Sequence, residues 1–161
     1  MKSPGRSLES EDDGELMRAL CGLSAAELDR DVARVLELTR HEVPEVRAEA
    51  LSALFVRGRK SEHRARALSS LSRDADERVR AAAALGIAAT SGAETLEQDV
   101  PLLVRAIRNE RETEEVRRCA YEAVLLIYHR PDFPDSLRPF DADRDVDWAW
   151  LEEIGASLGD N

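Results

Sequence analysis

The sequence predicts an all-α protein built from repeated helix pairs, and three observations support this. Apolar residues make up 43% of the 161 residues but aromatic residues only 4%, a balance that suits closely packed helices rich in Ala and Leu. The dipeptide Val-Arg begins at residues 46, 79 and 116, with separations of 33 and 37 residues. The residues that follow each Val-Arg also keep one apolar pattern, so we expect three equivalent helices.

Small and apolar residues stand four, seven and eight positions after each of these valines. They are Ala50, Ala53 and Leu54, then Ala83, Gly86 and Ile87, and finally Ala120, Ala123 and Val124. Positions 0, 4, 7 and 8 lie on one side of an α-helix, so this side is predicted to face the core. The small residues would let another helix approach closely. Three such helices in register are typical of a helical solenoid.

A second helix is predicted before each Val-Arg helix. The partner helices carry Val35 and Leu38, Leu68 and Leu71, and Val104 and Ile107. Helix starts are marked by Pro44, by Asp74 with Glu77, by Thr113, and by the capping box of Ser24 with Glu27. Gly58 and Gly92 stand where the first two Val-Arg helices should end.

Three sequence segments resemble the HEAT repeat family: PEVRAEA at 44–50, DERVRAAAALG at 76–86 and EEVRRCA at 114–120. With the partner helices, the resemblance covers roughly residues 25 to 130. It implies a short α-solenoid of antiparallel helix pairs in which the second helices line a concave face. It also implies that Arg47, Arg80 and Arg117 hydrogen-bond neighbouring loops. HEAT repeats serve many purposes, so the resemblance is specific for the fold and not for the function.

The two ends of the chain differ from this predicted HEAT-repeat array at 13–130. Residues 1–12 are polar and acidic, which predicts a disordered tail. A short helix with Leu16, Leu20 and Leu23 would then cap the array. Residues 131–161 predict a Pro-rich acidic linker and a C-terminal capping helix, which begins at about Asp145 and includes Trp150, Leu151, Ile154 and Leu158.

The net charge of −10 is unevenly distributed. Residues 131–161 contain nine acids and two bases, whereas residues 31–130 contain 17 of each. This distribution argues against a general nucleic-acid-binding face. It would suit a basic protein partner, although charge that only maintains solubility explains it equally well.

Several features predict a cytoplasmic protein without a membrane segment. Cys21 and Cys119 have no CxxC partner, which favours reduced thiols over a disulfide framework. Residues 1–13 lack the apolar stretch of a signal peptide, and no run approaches transmembrane length.

A calcium loop is the strongest metal hypothesis, but it has two faults. The acids Asp141, Asp143, Asp145, Asp147 and Glu152 have the spacing of such a loop. However, Val146 stands where the loop needs glycine, and prolines interrupt the entering helix. A solvated linker in which Asp145 caps the last helix is therefore favoured, and no metal is predicted.

No catalytic constellation emerges from the sequence. His41-Glu42 resembles the iron-binding pairs of the deoxyhypusine hydroxylases, a HEAT family, but the matching positions hold Asp74-Ala75. There is no phosphate loop or nucleophile motif. Cys119 is interpreted as a packed residue. The sequence therefore predicts no cofactor and no enzymatic activity.

One basic cluster stands out between the first two repeats. It consists of Arg57, Arg59, Lys60, Arg64 and Arg66. We interpret it first as a solvated turn, second as a contact for an acidic partner and last as a nucleic-acid site.

The Val-Arg helices are apolar nearly all round, so each is either covered on both sides or presents an apolar groove. The residues predicted to line a concave binding face are Ser52, Phe55, Leu85, Ala88, Glu122 and Leu125. The alternative is that the terminal segments, including Trp148, cover this face.

The sequence thus favours a non-enzymatic protein–protein interaction module. It would act as an adaptor, a scaffold, an assembly factor or an immunity protein that inhibits a basic partner. The alternative is a HEAT-type lyase, as among the bilin lyases, or another subunit of an enzyme complex. Nucleic-acid binding ranks third.

Overall fold

The computed structural model describes residues 8–135 and 137–159. Over these ranges the chain is all-helical, with nine α-helices and no strand, which confirms the predicted all-α class. The helices are α1 (Asp13–Cys21), α2 (Ala25–Leu38), α3 (Pro44–Leu51), α4 (Ala65–Arg73), α5 (Glu77–Thr90), α6 (Leu96–Arg108), α7 (Glu114–Ile127), α8 (Ala142–Asp145) and α9 (Trp148–Gly159). None of them has the length and apolar character needed to cross a membrane.

Local sequence signals explain where most helices begin. The capping box forms as predicted, since the Glu27 N–H donates to Ser24 Oγ at 3.3 Å and the Ser24 N–H donates to Glu27 Oε2 at 2.9 Å. Thr113 caps α7, and Pro44 is the first residue of α3. Asp76 caps the start of α5. Asp74, which was expected to do so, instead accepts hydrogen bonds from the Arg47 guanidinium.

The Val-Arg helices α3, α5 and α7 lie side by side, with α5 in contact with both of the others. Each of these three helices also contacts the helix that precedes it in the chain. For example, α4 packs against α5, and α6 packs against α7. The predicted inward positions are all buried, beginning with Val46, Val79 and Val116, each 0% exposed. A Cβ atom on Gly86 would lie 3.0 Å from Phe55 Cβ. A small residue is therefore required at this helix contact.

Two arginines of the repeated dipeptide, Arg47 and Arg80, bond neighbouring loops as the resemblance implied, and Arg117 does not. The Arg47 guanidinium donates to both carboxylate oxygens of Asp74, at 3.1 and 2.8 Å. Arg80 donates twice to a single carboxylate oxygen of Glu112, Oε2, at 3.1 and 2.8 Å. Both also donate to main-chain carbonyls before their own helices. Arg117 donates to the Ile107 carbonyl at 2.8 Å. The carboxylate bonds of Arg47 and Arg80 join one helix pair to the next, whereas Arg117 bonds the partner helix α6 of its own pair.

A π-helical segment, Ser52–Arg57, continues α3 as far as Gly58. A π turn holds more residues than an α turn, so the side chains after it point in different directions from those of a regular helix. Phe55 is 0% exposed, while its neighbour Val56 is 41% exposed. The same contrast appears in the regular helix α7, where Leu125 is 0% exposed and Leu126 is 45% exposed, so the π segment is not needed to produce it.

The described part of the N-terminal segment is attached to the fold. Leu8 is only 9% exposed, and the Arg34 Nε–H donates to its carbonyl at 2.9 Å. Asp12 caps α1. The prediction of a disordered tail over residues 1–12 is therefore wrong for residues 8–12, and residues 1–7 lie outside the described residues.

The last helix packs against α6 through Leu151 and Ile154, which are buried. Its first turn is capped by Asp147, whose carboxylate accepts the Trp150 N–H at 3.0 Å. The expectation that Asp145 caps this helix is wrong, because Asp145 belongs to α8 and is paired with arginines.

Candidate binding groove

An open groove of about 650 Å³ lies along the last turns of the three Val-Arg helices. We call it the apolar groove. Its apolar lining is Val56, Leu85, Ala88, Ala89, Leu96, Leu126 and Ile127. The loop residues Ser91, Gly92 and Ala93, together with Arg59 and His129, complete it.

Two of the groove residues are large, apolar and exposed. Val56 is 41% exposed and Leu126 is 45% exposed. They stand at equivalent repeat positions, ten residues after Val46 and Val116. The described residues include only two other large hydrophobic side chains with comparable exposure, Phe133 and Leu137, and neither lines the groove. Clustered exposure of this kind marks an interaction surface more often than scattered exposure does.

The structure separates the six predicted binding residues into three groups. Leu85 and Ala88 line the groove and are half-buried. Ser52 and Glu122 are half-buried but lie outside it. Phe55 and Leu125 are 0% exposed and cannot present a surface to a partner.

The prediction for Phe55 and Leu125 fails for two reasons. Phe55 faces inward and lies against Gly86 of α5. Leu125 lies in α7, which α5 and α6 both contact and whose far end meets the C-terminal segment through Tyr128 and Trp150. Helical periodicity predicts the direction in which a side chain points, but it does not predict which other elements pack against that side chain.

The described terminal segments do not cover the groove. The Trp148 Nε1–H donates to the Ala142 carbonyl at 3.0 Å, and the Arg108 guanidinium lies 5.5 Å from the centre of its ring. No residue of α8 or α9 lines the groove. The alternative that Trp148 covers this face is therefore wrong.

Arg59 and His129 share an unusual backbone conformation. Their φ angles are 50° and 54°, and among the described non-glycine residues only these two have positive φ. Each stands thirteen residues after the valine of its repeat, where the middle repeat has Gly92. The Arg130 N–H donates to the Leu125 carbonyl at 2.9 Å, which closes the end of α7. Glycine is the usual residue at such helix ends, and another residue costs roughly 1–2 kcal/mol.

Most of the predicted basic cluster is used inside the chain. Arg57 donates to Glu49 at 2.8 Å and to the Leu20 carbonyl at 2.9 Å. Ionic or hydrogen-bonding partners also hold Lys60, Arg64 and Arg66, namely Asp29, Asp99 and Thr39. The interpretation as a solvated turn is therefore wrong for these four. The Arg59 side chain is exposed and has no such partner in the described part of the chain.

A buried carboxylate fixes one wall of the groove. Asp99 is 0% exposed and accepts hydrogen bonds from Arg64, from Ser91 Oγ at 2.7 Å and from Thr95 Oγ1 at 2.8 Å. A buried charge is tolerated only when it is paired and hydrogen-bonded. The network therefore holds the 91–95 loop at the edge of the groove.

The candidate calcium ligands do not converge. Asp141 and Asp147 cap α8 and α9. Asp145 is paired with Arg144 at 2.9 Å and Arg138 at 2.7 Å. Hydrogen bonds from Arg144 and from the Asp141 N–H hold the pKa of Asp145 well below its usual range. Glu152 lies 3.7 Å from Arg108. Throughout 8–135 and 137–159, no three acidic, histidine or cysteine side chains form a metal-binding group.

The thiol of Cys119 is unsuited to nucleophilic chemistry. Its side chain is buried, and burial together with the charges of Glu115 and Glu122 raises its pKa to about 12. The thiolate is the nucleophilic form, so this group is inert at neutral pH. The interpretation of Cys119 as a packed residue agrees with its 5% exposure.

Comparisons of this chain with protein-family models, curated proteins and solved structures find no match.

Proposed function

We propose that this protein is a non-enzymatic interaction module that binds a segment of a partner protein in the apolar groove. The observation that carries the proposal is the exposure of Val56 and Leu126 at equivalent positions of one open groove. A partner that covered them would remove apolar surface from water, which is the main driving force of protein association.

The proposal includes a HEAT-type architecture. Support comes from the side-by-side packing of α3, α5 and α7 and from the arginine bonds that link each helix pair to the next. Arrays of this kind present the second helix of each pair on one extended face, which suits binding of an elongated partner segment. A cytoplasmic location and a role as an adaptor or assembly factor belong to the same proposal.

The dimensions of the groove agree with a modest binding site. Its volume of about 650 Å³ falls within the usual range of ligand sites. Full burial of a Val or Leu side chain contributes roughly 1.5–3 kcal/mol. Val56 and Leu126 are already more than half covered, so we expect a contribution of about 1 kcal/mol from each. This favours a reversible partner over a permanent one.

The test compares two charge-matched double variants as baits in a native lysate. Val56→Asp/Leu126→Asp places two carboxylates in the groove. Phe133→Asp/Leu137→Asp places the same two charges on exposed apolar residues outside it. Circular dichroism and thermal melting would first establish that both variants keep the native helix content.

The expected result is a partner that the wild type and the Phe133→Asp/Leu137→Asp variant retain and the groove variant loses. Titration calorimetry with that purified partner should then show at least tenfold weaker binding to the groove variant, because a buried unpaired carboxylate is strongly disfavoured. A partner that binds all three baits equally would contradict the proposed site.

A further inference from the structure

The charge of the groove differs in sign from that of the whole molecule. The chain carries 33 acids and 23 bases. Of the residues that line the groove, Arg59 and His129 are the basic ones, and none is acidic. Both side chains are exposed, and within the described ranges neither has a hydrogen-bond or ion-pair partner. The groove therefore combines an apolar lining with basic groups that are free to bind an anion.

From this arrangement we infer that the groove binds an acidic, amphipathic segment of the partner protein. Its apolar side chains contact Val56 and Leu126, and its carboxylates pair with Arg59 and His129. The inference rests on the proposed function, since it names the chemistry of the partner for the same groove.

The backbone at these two residues is a second observation in favour of the inference. Arg59 and His129 adopt a left-handed conformation that glycine adopts without strain, whereas Gly92, at the corresponding sequence position of the middle repeat, has an extended backbone. Glycine would therefore serve the fold at least as well at both positions. What the two side chains add is the positive charge of the Arg59 guanidinium and hydrogen-bond donors from both residues beside an apolar surface.

The spacing of the two basic groups favours a peptide over a small anion. Arg59 follows the π segment after α3, and His129 follows α7, with α5 between them. Adjacent packed helices lie 8–10 Å apart, so the two groups are separated by roughly 15–20 Å. One carboxylate cannot reach both. Two acidic side chains about 10–13 residues apart on a helix would span this distance.

The net charge of −10 does not prevent this pairing. The nine acids of residues 131–161 account for much of the excess, and no residue of that segment lines the groove. Electrostatic interactions across water are screened over about 8–10 Å at physiological salt. The charges that line the groove therefore weigh most in the choice of partner, and the nearest exposed carboxylate is that of Glu94, beside Gly92.

A displayed library of random 16-residue peptides tests the inference without knowledge of the natural partner. The library would be selected on the immobilised wild-type protein and counter-selected on Val56→Asp/Leu126→Asp. Enriched peptides are expected to be net acidic, with apolar residues at helical spacing. Enrichment of basic or neutral peptides would overturn the inference but leave the proposed function standing. If no peptide were enriched on the wild type relative to the groove variant, the result would contradict both the inference and the proposed function.

The second measurement uses the strongest acidic peptide from that selection and the variant Arg59→Gly/His129→Gly. Loss of two exposed ion pairs should weaken binding about tenfold, while the melting temperature stays equal or rises because glycine relieves the left-handed strain. Arg40→Gly, which removes an exposed arginine outside the groove, should change the affinity less than twofold. Unchanged binding by the double variant, or a lower melting temperature, would show that these side chains serve the fold and not the partner.

Discussion

Arginines in this protein make contacts of two kinds. Arg47 and Arg80 are largely buried and bond a carboxylate of the next loop in two-pronged geometry. Arg59 is exposed beside the groove. The first kind holds the fold together, and the second is available to a partner. The residue type is the same, so burial and the position of the nearest carboxylate decide the role.

The Arg47–Asp74 pair also affects acid stability. Burial alone would raise the pKa of Asp74, but hydrogen bonds from Arg47 and from the Asp76 N–H outweigh it, so the pKa lies below its ordinary value. A lowered pKa in the folded state means that the stabilisation is present above the unfolded value of about 4. It is lost as the pH falls through the folded value.

Replacement of Asp74 tests this pair. Asp74→Asn should lower the free energy of unfolding by about 1–3 kcal/mol at pH 7, because it leaves a largely buried guanidinium without its carboxylate. Below pH 4 the difference from the wild type should shrink. Urea unfolding of the variant and the wild type, at pH 7 and below pH 4, measures this difference in the free energy of unfolding. Asp29→Asn removes a 64% exposed partner of Lys60 and should cost less than about 1 kcal/mol. Equal effects of the two variants would contradict the structural role of Asp74.

At the scale of the element, the π segment carries the residue that the first repeat contributes to the groove. It contains the buried Phe55 and the exposed Val56. Gly58, at its end, lies so close to α2 that an added Cβ would stand 2.2 Å from Leu28 Cδ2 and 2.9 Å from the Leu54 carbonyl oxygen. The φ of Gly58 is −91°, so the requirement for glycine here is purely steric.

Two glycine substitutions test that requirement. Gly58→Ala should destabilise the protein by about 1–3 kcal/mol, because the new methyl group overlaps backbone as well as side-chain atoms. Gly155→Ala is the matched control: it lies within α9 with nothing within 4 Å of the added Cβ, so it should stabilise by about 0.5–1 kcal/mol. Chemical denaturation measures both. If Gly58→Ala left the free energy of unfolding unchanged, α2 would be able to shift away from the new methyl group at little cost.

At the scale of the whole molecule, α5 is the central helix. It contacts α3, α4 and α7, whereas α9 packs mainly on α6, and α8 has only four residues. In a chain of linked repeats, stability depends on contacts with the nearest neighbours, so the middle unit is held from both sides.

Hydrogen exchange followed by mass spectrometry tests this stability gradient. Amides of α5 around Ala83 should exchange most slowly, and those of α1 and α8 should exchange fastest. Helical protection around Val46, Val79 and Val116 is required by the repeat interpretation. Faster exchange in α5 than in the terminal helices would contradict the arrangement described here.

The sequence by itself determined the helical class, the inward stripe and most of the helix starts. These follow from local rules: side chains repeat every 3.6 residues along a helix, and Ser, Thr, Asp and Pro have fixed preferences at its first turn. Residues such as Ala50, Ala83 and Ala120 therefore lie where their spacing indicated. The bonds of Arg47 and Arg80 could be anticipated only from the family resemblance.

Only the tertiary structure decided which apolar residues reach the surface. Packing against α5 buries Phe55, and the packing around α7 buries Leu125. Val56 and Leu126, one position later in each repeat, form the exposed part of the groove instead. Whether a side chain is covered depends on the elements that pack against its helix, and those elements are distant in sequence. The exposed residues of the groove are therefore fixed by long-range packing, whereas the helices of this protein are fixed by local preference.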